Sequence, residues 1–206
     1  MIRIREINPD DTGALVKLVK QLDRETEFLL YETGERPLDV DKWRENIRAL
    51  NSPEYGTFFV AEYASKGEEL AIDGAAHHES DGEDLSVEDI GSGAMADAVA
   101  DDDTVLAGYL EVRRLPWRKV RHRIYLVIGI LKKFRGMGVG TRLMQEAENW
   151  ARRNDIQRLY LTVIAENMAA VQLYRKMGYE TEGWHPASMR IGDRYVDELT
   201  MGKWLE

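Results

Sequence analysis

The stretch Arg135-Gly136-Met137-Gly138-Val139-Gly140-Thr141 separates two segments with different hydrophobic patterns. Residues 124–131 before it are almost all apolar, which is typical of a buried strand. After it, apolar residues recur at helical spacing over residues 142–153. A strand, a glycine-rich turn and a helix start predict an anion site, because the first helical turn has unpaired N–H groups and glycine permits close approach.

Two common phosphate-binding patterns do not fit this turn. The dinucleotide pattern G-x-G-x-x-G would require glycine at Thr141 or at Leu143, and a P-loop would require lysine directly after Gly140. The pattern that fits is R/Q-x-x-G-x-G, with Arg135, Gly138 and Gly140 at its fixed positions. A glycine turn that only reverses the chain is the alternative interpretation.

Periodicity outside this turn predicts a single α/β domain over residues 1–206, with the element order βααβ, insertion, ββαβαββ. Strands are predicted at 2–7, 57–63, 104–113, 122–130, 158–164, 181–191 and 194–204, and helices around 15–22, 40–50, 142–153 and 170–177. This order predicts a mixed sheet with helices on both faces.

The formal net charge of −9 is distributed unevenly. Residues 65–103 contain thirteen acidic residues and one lysine, which leaves 27 basic and 24 acidic residues elsewhere. The chain outside residues 65–103 is thus only mildly basic, with a net charge of +3. A nucleic-acid-binding protein would concentrate Lys and Arg in a patch, so no nucleic-acid partner is predicted. We also expect a cytoplasmic protein without a membrane partner, because there is no long apolar run, no apparent signal peptide and no cysteine.

Residues 65–103 are predicted to be a disordered acidic insertion, because they contain no aromatic residue and little apolar surface to bury. Electrostatic attraction of basic partners is an alternative role for this segment. His77 and His78 lie among carboxylates there, but solvated histidines are favoured over a metal site, and no metal is predicted.

A second motif lies about thirty residues after the glycine turn. It reads Asn167-x-x-Ala170-x-x-Leu173-Tyr174-x-x-x-Gly178-Tyr179. The two motifs, together with the element order, resemble the GNAT superfamily of acyl-CoA N-acyltransferases. The resemblance implies that acetyl-CoA is the cosubstrate and that its pyrophosphate binds to the glycine turn, which comprises Arg135, Gly136, Met137, Gly138, Val139, Gly140 and Thr141.

The resemblance also implies roles near the thioester. A β-bulge at Ile128-Gly129-Ile130 is expected to free an N–H group for the acetyl carbonyl, although Gly129 can also be required only for packing. Tyr174 is the expected general acid for the departing thiolate, with an ordinary core tyrosine as the alternative. Asn167 is expected to contact the pantetheine arm or to cap its helix.

The general base is harder to assign. Many relatives have glutamate on the strand before the glycine turn, at the position that Ile124 occupies here. His122 and Glu111 are the remaining candidates, because strand alternation places His122 on the face of Ile124 and an unperturbed imidazole titrates near neutrality. Either residue can instead be a solvated strand-end residue. A reaction without a base is the third option.

The resemblance implies an N-acetyltransferase that acts on a primary amine. Direct transfer in a ternary complex is expected, since a chain without cysteine cannot form a cysteine acyl-enzyme. A small-molecule acceptor is favoured over a protein N-terminus or lysine. A non-catalytic acyl-CoA-binding module is the alternative from another class, and a homodimer is one option for the assembly. The expected acceptor wall comprises Glu25, Tyr31, Glu32, Glu35, Trp184, His185 and Tyr195.

Overall fold

A seven-stranded mixed sheet carries the helices in the computed structural model, which describes residues 1–64 and 104–206. The strands are β1 (Ile2–Glu6), β2 (Gly56–Ala64), β3 (Thr104–Arg114), β4 (Arg123–Ile130), β5 (Arg158–Ile164), β6 (Glu180–Ile191) and β7 (Arg194–Trp204). The helices are α1 (Thr12–Glu25), α2 (Val40–Leu50), α3 (Val139–Arg153) and α4 (Met168–Lys176). The spatial strand order is β1-β2-β3-β4-β5-β7-β6. The predicted fold class and element order are confirmed over the described residues.

Side-chain caps explain where the first two helices begin. Asn8 and Asp11 form a capping box around a short 3-10 turn that leads into α1. The carboxylate of Asp39 accepts the backbone N–H groups of Asp41 and Lys42 at the start of α2. None of the described helices combines the length and the apolar character needed to cross a bilayer.

The sheet opens into a wedge between β4 and β5, which form the one parallel pair among the strands of residues 1–64 and 104–206. Arg123–Tyr125 pairs with Arg158–Tyr160, and the two strands have no paired residues beyond that point. The remainder of β4 keeps its antiparallel pairing with β3 up to Ile130. The carboxyl ends of both strands therefore border a gap, which is where α/β sheets generally bind ligands.

The two faces of β4 contact different helices. A Cβ atom on Gly129 would lie 2.8 Å from Cδ1 of Leu22, which belongs to α1. A Cβ atom on Gly140, in the first turn of α3, would lie 3.2 Å from Cδ1 of Ile130 and 2.7 Å from Cδ2 of Leu173 in α4. Because side chains alternate along a strand, the odd-numbered residues of β4 face α1 and the even-numbered residues face α3 and α4.

The expected acidic insertion, together with His77 and His78, lies outside the described residues. The residues that flank it are directly paired, since Ala64 is opposite Thr104 in the β2–β3 ladder. Such partners in an antiparallel pair have Cα atoms only about 5 Å apart. A two-residue hairpin turn can therefore connect the strands in place of residues 65–103.

We predict that replacing residues 65–103 with Asn-Gly leaves the fold and acetyl-CoA affinity nearly unchanged, because β2 and β3 keep their register. Circular dichroism and calorimetric titration measure the two properties. A control deletion that also removes Ala64 and Thr104 shortens both strands and should be less stable. A variant that fails to fold with the intact strands would contradict the prediction.

Candidate functional site

The glycine turn presents the start of α3 without a side-chain cap. Gly138 is the N-cap residue of α3 and has φ of +77°, a left-handed conformation that glycine adopts without a steric penalty. Gly136 has the same φ. No side chain caps the first-turn amides of Val139, Gly140 and Thr141. These N–H groups and the positive end of the helix dipole together form an anion-binding end.

The surface beside the turn has space for a ligand. A Cβ atom placed on Gly136 or Gly138 would meet no atom within 4 Å. Gly140 differs, because any side chain there would collide with Leu173. Gly136 and Gly138 therefore permit the left-handed backbone conformation and leave room for a ligand in front of the helix. Gly140 instead permits the close packing of α3 against α4. The geometry fits a diphosphate next to the helix start.

Four cations surround this turn. Lys132, Lys133, Arg135 and Arg142 form no ion pair with any residue in 1–64 or 104–206. Arg135 Nε donates to the carbonyl of Ile130 at 3.2 Å, and Arg142 Nη1 donates to the carbonyl of Ile2 at 2.8 Å. These bonds anchor Arg135 at the end of β4 and Arg142 at β1, and neither guanidinium group is neutralised by a carboxylate of the described residues.

The β4 backbone supplies donors to the wedge without a bulge in its pairing with β3. The register is constant from Gly108 opposite Ile130 to Arg114 opposite Ile124, which corrects the bulge expected at Ile128–Ile130. The Leu131 amide donates to the Ala107 carbonyl at 3.0 Å. Because backbone direction alternates along an antiparallel strand, the Ile128 and Ile130 amides point away from β3, toward the gap.

Gly129 is explained by packing. A Cβ atom there would lie 2.8 Å from both Leu22 Cδ1 and Tyr109 Cε1. The space that a side chain at position 129 would need is thus occupied by side chains of α1 and β3. The packing interpretation of this glycine is the one that the structure supports.

Tyr174 lies on α4, on the same side of the sheet as the start of α3. The side chain is 5% exposed, and its hydroxyl forms no hydrogen bond with a described residue. Burial, with a smaller contribution from Tyr125, raises the pKa of Tyr174 above the ordinary tyrosine value.

The remainder of the second motif positions this helix. The Asn167 side chain accepts the Ala170 amide at 3.3 Å, so the capping role expected for Asn167 is present. Gly178 has φ of +85° and ends α4, and the Tyr179 amide then donates to the Tyr174 carbonyl at 2.9 Å. The rings of Tyr174 and Tyr179 pack with their centroids 6.1 Å apart.

We predict that Tyr179→Phe raises the free energy of unfolding by about 1 kcal/mol, because the substitution removes a buried hydroxyl without a partner in the described chain. Urea denaturation measures the change. Val171→Thr should have the opposite effect, because it adds a hydroxyl to a 1% exposed position. A Tyr179→Phe variant less stable than the wild type would show that this hydroxyl has a stabilising partner.

The two candidate bases lie away from the open part of the wedge. His122 precedes β4 and is not a strand residue, and its ring stacks on Trp204 with centroids 6.1 Å apart. Its carbonyl accepts the amides of Gln157 and Arg158, at the end where β4 and β5 stay paired. Ile130 follows eight residues later, roughly 26 Å along an extended strand. This position disfavours His122 as the base.

Glu111 is buried on β3, opposite Val127 on β4. Both its carboxylate oxygens accept from Arg113, at 2.5 and 2.8 Å. The carboxylate is thus one strand away from the gap and paired with a guanidinium, which disfavours a role as proton acceptor. The role of a general base for either residue stays a prediction.

A hydroxyl pair at the apex of the wedge was not identified from the sequence. The Tyr125 hydroxyl and Oγ1 of Thr162 are 2.8 Å apart. Tyr125 belongs to the last β4–β5 residue pair, and Thr162 is two residues beyond that pair on β5. In the sequence, this pair is indicated only by a hydroxyl-bearing residue, Tyr125 or Thr162, within each of two largely apolar strands.

A cleft of about 380 Å³ lies between the α1–α2 connection and the end of the β6–β7 hairpin. Its lining includes Glu25, Tyr31 and Glu32, as the sequence predicted, and Met189–Ile191 in place of Trp184, His185 and Tyr195. Glu35 is also absent from this lining.

The cleft borders the end of β4 through Glu25. Its carboxylate accepts the amide of Lys132 at 2.7 Å. Burial favours a higher pKa for Glu25, but the hydrogen bonds from the Lys132 amide and from Gln21 outweigh it and hold the pKa below its ordinary value. The carboxylate therefore stays ionised at the rim.

Ion pairs hold the walls of this cleft. Asp23 and Arg36 form a buried pair with an N–O distance of 2.7 Å, which fixes the α1–α2 connection. Arg194 pairs with Glu27 and with Glu166, so that one guanidinium connects the hairpin to both neighbouring connections.

Comparisons with known proteins identify the family and the fold. The model of the Acetyltransferase (GNAT) family matches residues 69–179, more than half of the chain. L-amino acid N-acetyltransferase AaaT of Escherichia coli is 30% identical over 110 residues, which are 52% of this chain and 65% of that protein. The chain spans 24% to 65% of the lengths of the curated relatives it matches.

Solved structures show the same fold. A GNAT-family acetyltransferase from Streptococcus pneumoniae superposes with a TM-score of 0.76 at 24% identity, covering 100% of both chains. Phosphinothricin acetyltransferase from Sinorhizobium meliloti, solved in complex with AcCoA, has a TM-score of 0.69 at 14% identity, covering 99% of this chain and 88% of that chain.

Proposed function

Because the chain belongs to the GNAT family of acetyltransferases, we propose that it transfers acetyl from acetyl-CoA to a primary amine by direct attack in a ternary complex. The observation that carries the proposal is the open wedge beside an uncapped helix start. The β4 amides of Ile128 and Ile130 face the gap between β4 and β5. The N–H groups in the first turn of α3, which are not capped by a side chain, lie beyond the end of β4. Together these donors match a ligand with a diphosphate at one end and a carbonyl at the other.

The residues have separate roles in this proposal. The amides of Val139, Gly140 and Thr141 hold the diphosphate, with Arg135 and Arg142 adding positive charge. A β4 amide donates to the acetyl oxygen as negative charge develops there. Acetyl-CoA itself supplies the acyl group in activated thioester form.

Tyr174 is the proposed general acid. Burial keeps its pKa high, so the phenol is protonated at neutral pH and can donate to the departing sulfur. Its place on α4, next to the α3 residues that bind the diphosphate, supports this assignment. The chain has no cysteine to form an acyl-enzyme, which leaves direct attack by the amine.

We favour a small-molecule acceptor. The cleft of about 380 Å³ is within the usual size range of small-ligand sites, and ion pairs hold its walls on both sides. Carboxylates of Glu25 and Glu32 on its lining can attract a cationic amine. The name of AaaT places L-amino acids first in the acceptor panel.

A thiol-release assay with acetyl-CoA tests the proposal over amino acids, polyamines, amine-bearing antibiotics and basic peptides. We expect turnover with at least one small amine and weaker turnover with the peptides. Turnover with peptides alone would favour a protein acetyltransferase. Tight acetyl-CoA binding without thiol release from any amine would favour a binding module and refute catalysis.

A further inference from the structure

The hydroxyls of Tyr125 and Thr162 connect β4 and β5 where their backbone pairing stops. Their oxygens are 2.8 Å apart, and either hydroxyl can be the donor. The Thr162 residue is exposed, so the pair has direct access to solvent. A polar pair at this point is separate from the diphosphate-binding turn and lies at the apex of the gap that would receive the thioester.

Tyr125 and Tyr174 lie on opposite faces of the sheet. Tyr125 is an odd-numbered residue of β4 and faces the α1 side, where the acceptor cleft also lies. Tyr174 is on α4, whose Leu173 packs against Gly140 on the other side. The two phenols are close enough for Tyr125 to contribute to the raised pKa of Tyr174. Tyr125 thus lies on the face of the sheet that packs against α1, and Tyr174 lies on the face that packs against α3 and α4.

The other groups considered for proton removal are less suitable. The position of the expected glutamate is Ile124, which is fully buried. His122 stacks on Trp204 beyond the paired end of the wedge, and Glu111 is held by Arg113. Tyr125 and Thr162 form a hydroxyl path that leads from the end of the β4–β5 pairing to an exposed side chain.

We propose that Tyr125 accepts protons from the acceptor amine and passes its own phenol proton to Thr162 Oγ1, whose proton leaves to water. This inference rests on the proposed acetyltransferase function. The nitrogen lone pair forms the N–C bond, the C–S bond breaks, and sulfur takes the proton of Tyr174. An ammonium acceptor loses two protons through the relay, and water returns one to Tyr174. The net release is one proton, and Tyr125 ends each cycle neutral.

Single and double substitutions test the relay with the best acceptor from the panel. We expect Tyr125→Phe and Thr162→Val each to lower kcat by about 10- to 100-fold, because each breaks the same proton path. The double variant should lose little more than either single variant, since the two groups act as one unit. Acetyl-CoA affinity, measured by calorimetric titration, should stay within about twofold of the wild type.

Tyr160→Phe is the matched control. Its ring packs 5.2 Å from that of Tyr125, but its hydroxyl forms no hydrogen bond with a described residue. This variant should keep the wild-type kcat. The defect of Tyr125→Phe should also shrink as pH rises, because a larger fraction of the acceptor is then already neutral.

Turnover by the wild type separates the proton-relay proposal from the acetyltransferase proposal on which it rests. If the wild type releases thiol and Tyr125→Phe has an unchanged kcat, the relay is refuted and the acetyltransferase proposal stands. A defect that is equal at every pH, or a loss of acetyl-CoA affinity in Tyr125→Phe, would identify a structural role and also refute the relay. A wild type without turnover would refute the underlying function.

Discussion

Tyr174→Phe is expected to lower kcat by about 100-fold or more while acetyl-CoA affinity changes by less than about twofold. In the proposed mechanism the substitution removes the proton that sulfur takes when the C–S bond breaks, and it leaves the ring in place to pack against Tyr179. Steady-state thiol release gives kcat, and calorimetric titration gives the affinity for acetyl-CoA.

Tyr179→Phe is the control for this experiment, because it removes a phenol hydroxyl from the adjacent ring without removing the proposed acid. Its kcat should match that of the wild type. Burial raises the pKa of Tyr174, so loss of its proton should not reduce wild-type activity below the ordinary tyrosine pKa of about 10. An unchanged kcat in Tyr174→Phe would remove the residue from the mechanism.

Gly138→Glu is expected to weaken acetyl-CoA binding by about 100-fold or more. A side chain on Gly138 would enter the open space in front of the uncapped α3 start, and its negative charge would repel the diphosphate. Calorimetric titration with acetyl-CoA measures the loss. Thermal unfolding in the same buffer reports how much of the change comes from backbone strain.

Gly34→Glu separates strain from ligand exclusion. Gly34 has φ of +89°, and a Cβ atom added to it, as to Gly138, would meet no atom within 4 Å. Both variants force glutamate into a left-handed backbone conformation, at a cost of about 1–2 kcal/mol. Only Gly138→Glu should lose acetyl-CoA affinity. Equal affinity in the two variants would place the diphosphate elsewhere on the molecule.

The element order could be predicted because local patterns encode it. Apolar residues at helical spacing in α3, and the dipeptide Gly192-Asp193 between β6 and β7, fix local structure through side-chain burial and backbone sterics. The positive φ of Gly136 and Gly138 follows from the same sterics. The glycine turn and the helix start that follows it could therefore be predicted without any tertiary contact.

The proton-transfer groups could not be assigned in this way. Alternation placed His122 on the strand face of Ile124, but the chain turns before Arg123 and the imidazole stacks on Trp204. Glu111 pairs with Arg113, a contact that strand alternation alone does not specify. A bulge was expected at Gly129 because strand glycines often mark one, whereas Leu22 and Tyr109 occupy the space. These contacts involve partners distant in sequence, or the exact residue at which a strand begins, and neither is specified by a local pattern.

The sequence by itself determined the order of the elements, the glycine turn before α3 and the placement of Tyr174 on α4. These features depend on residues within a few positions of one another. Only the tertiary structure decided where β4 separates from β5, which amides face the gap, and that Tyr125 meets Thr162 there. Strand pairing is set by packing among residues far apart in the chain, and local sequence patterns do not specify those partners.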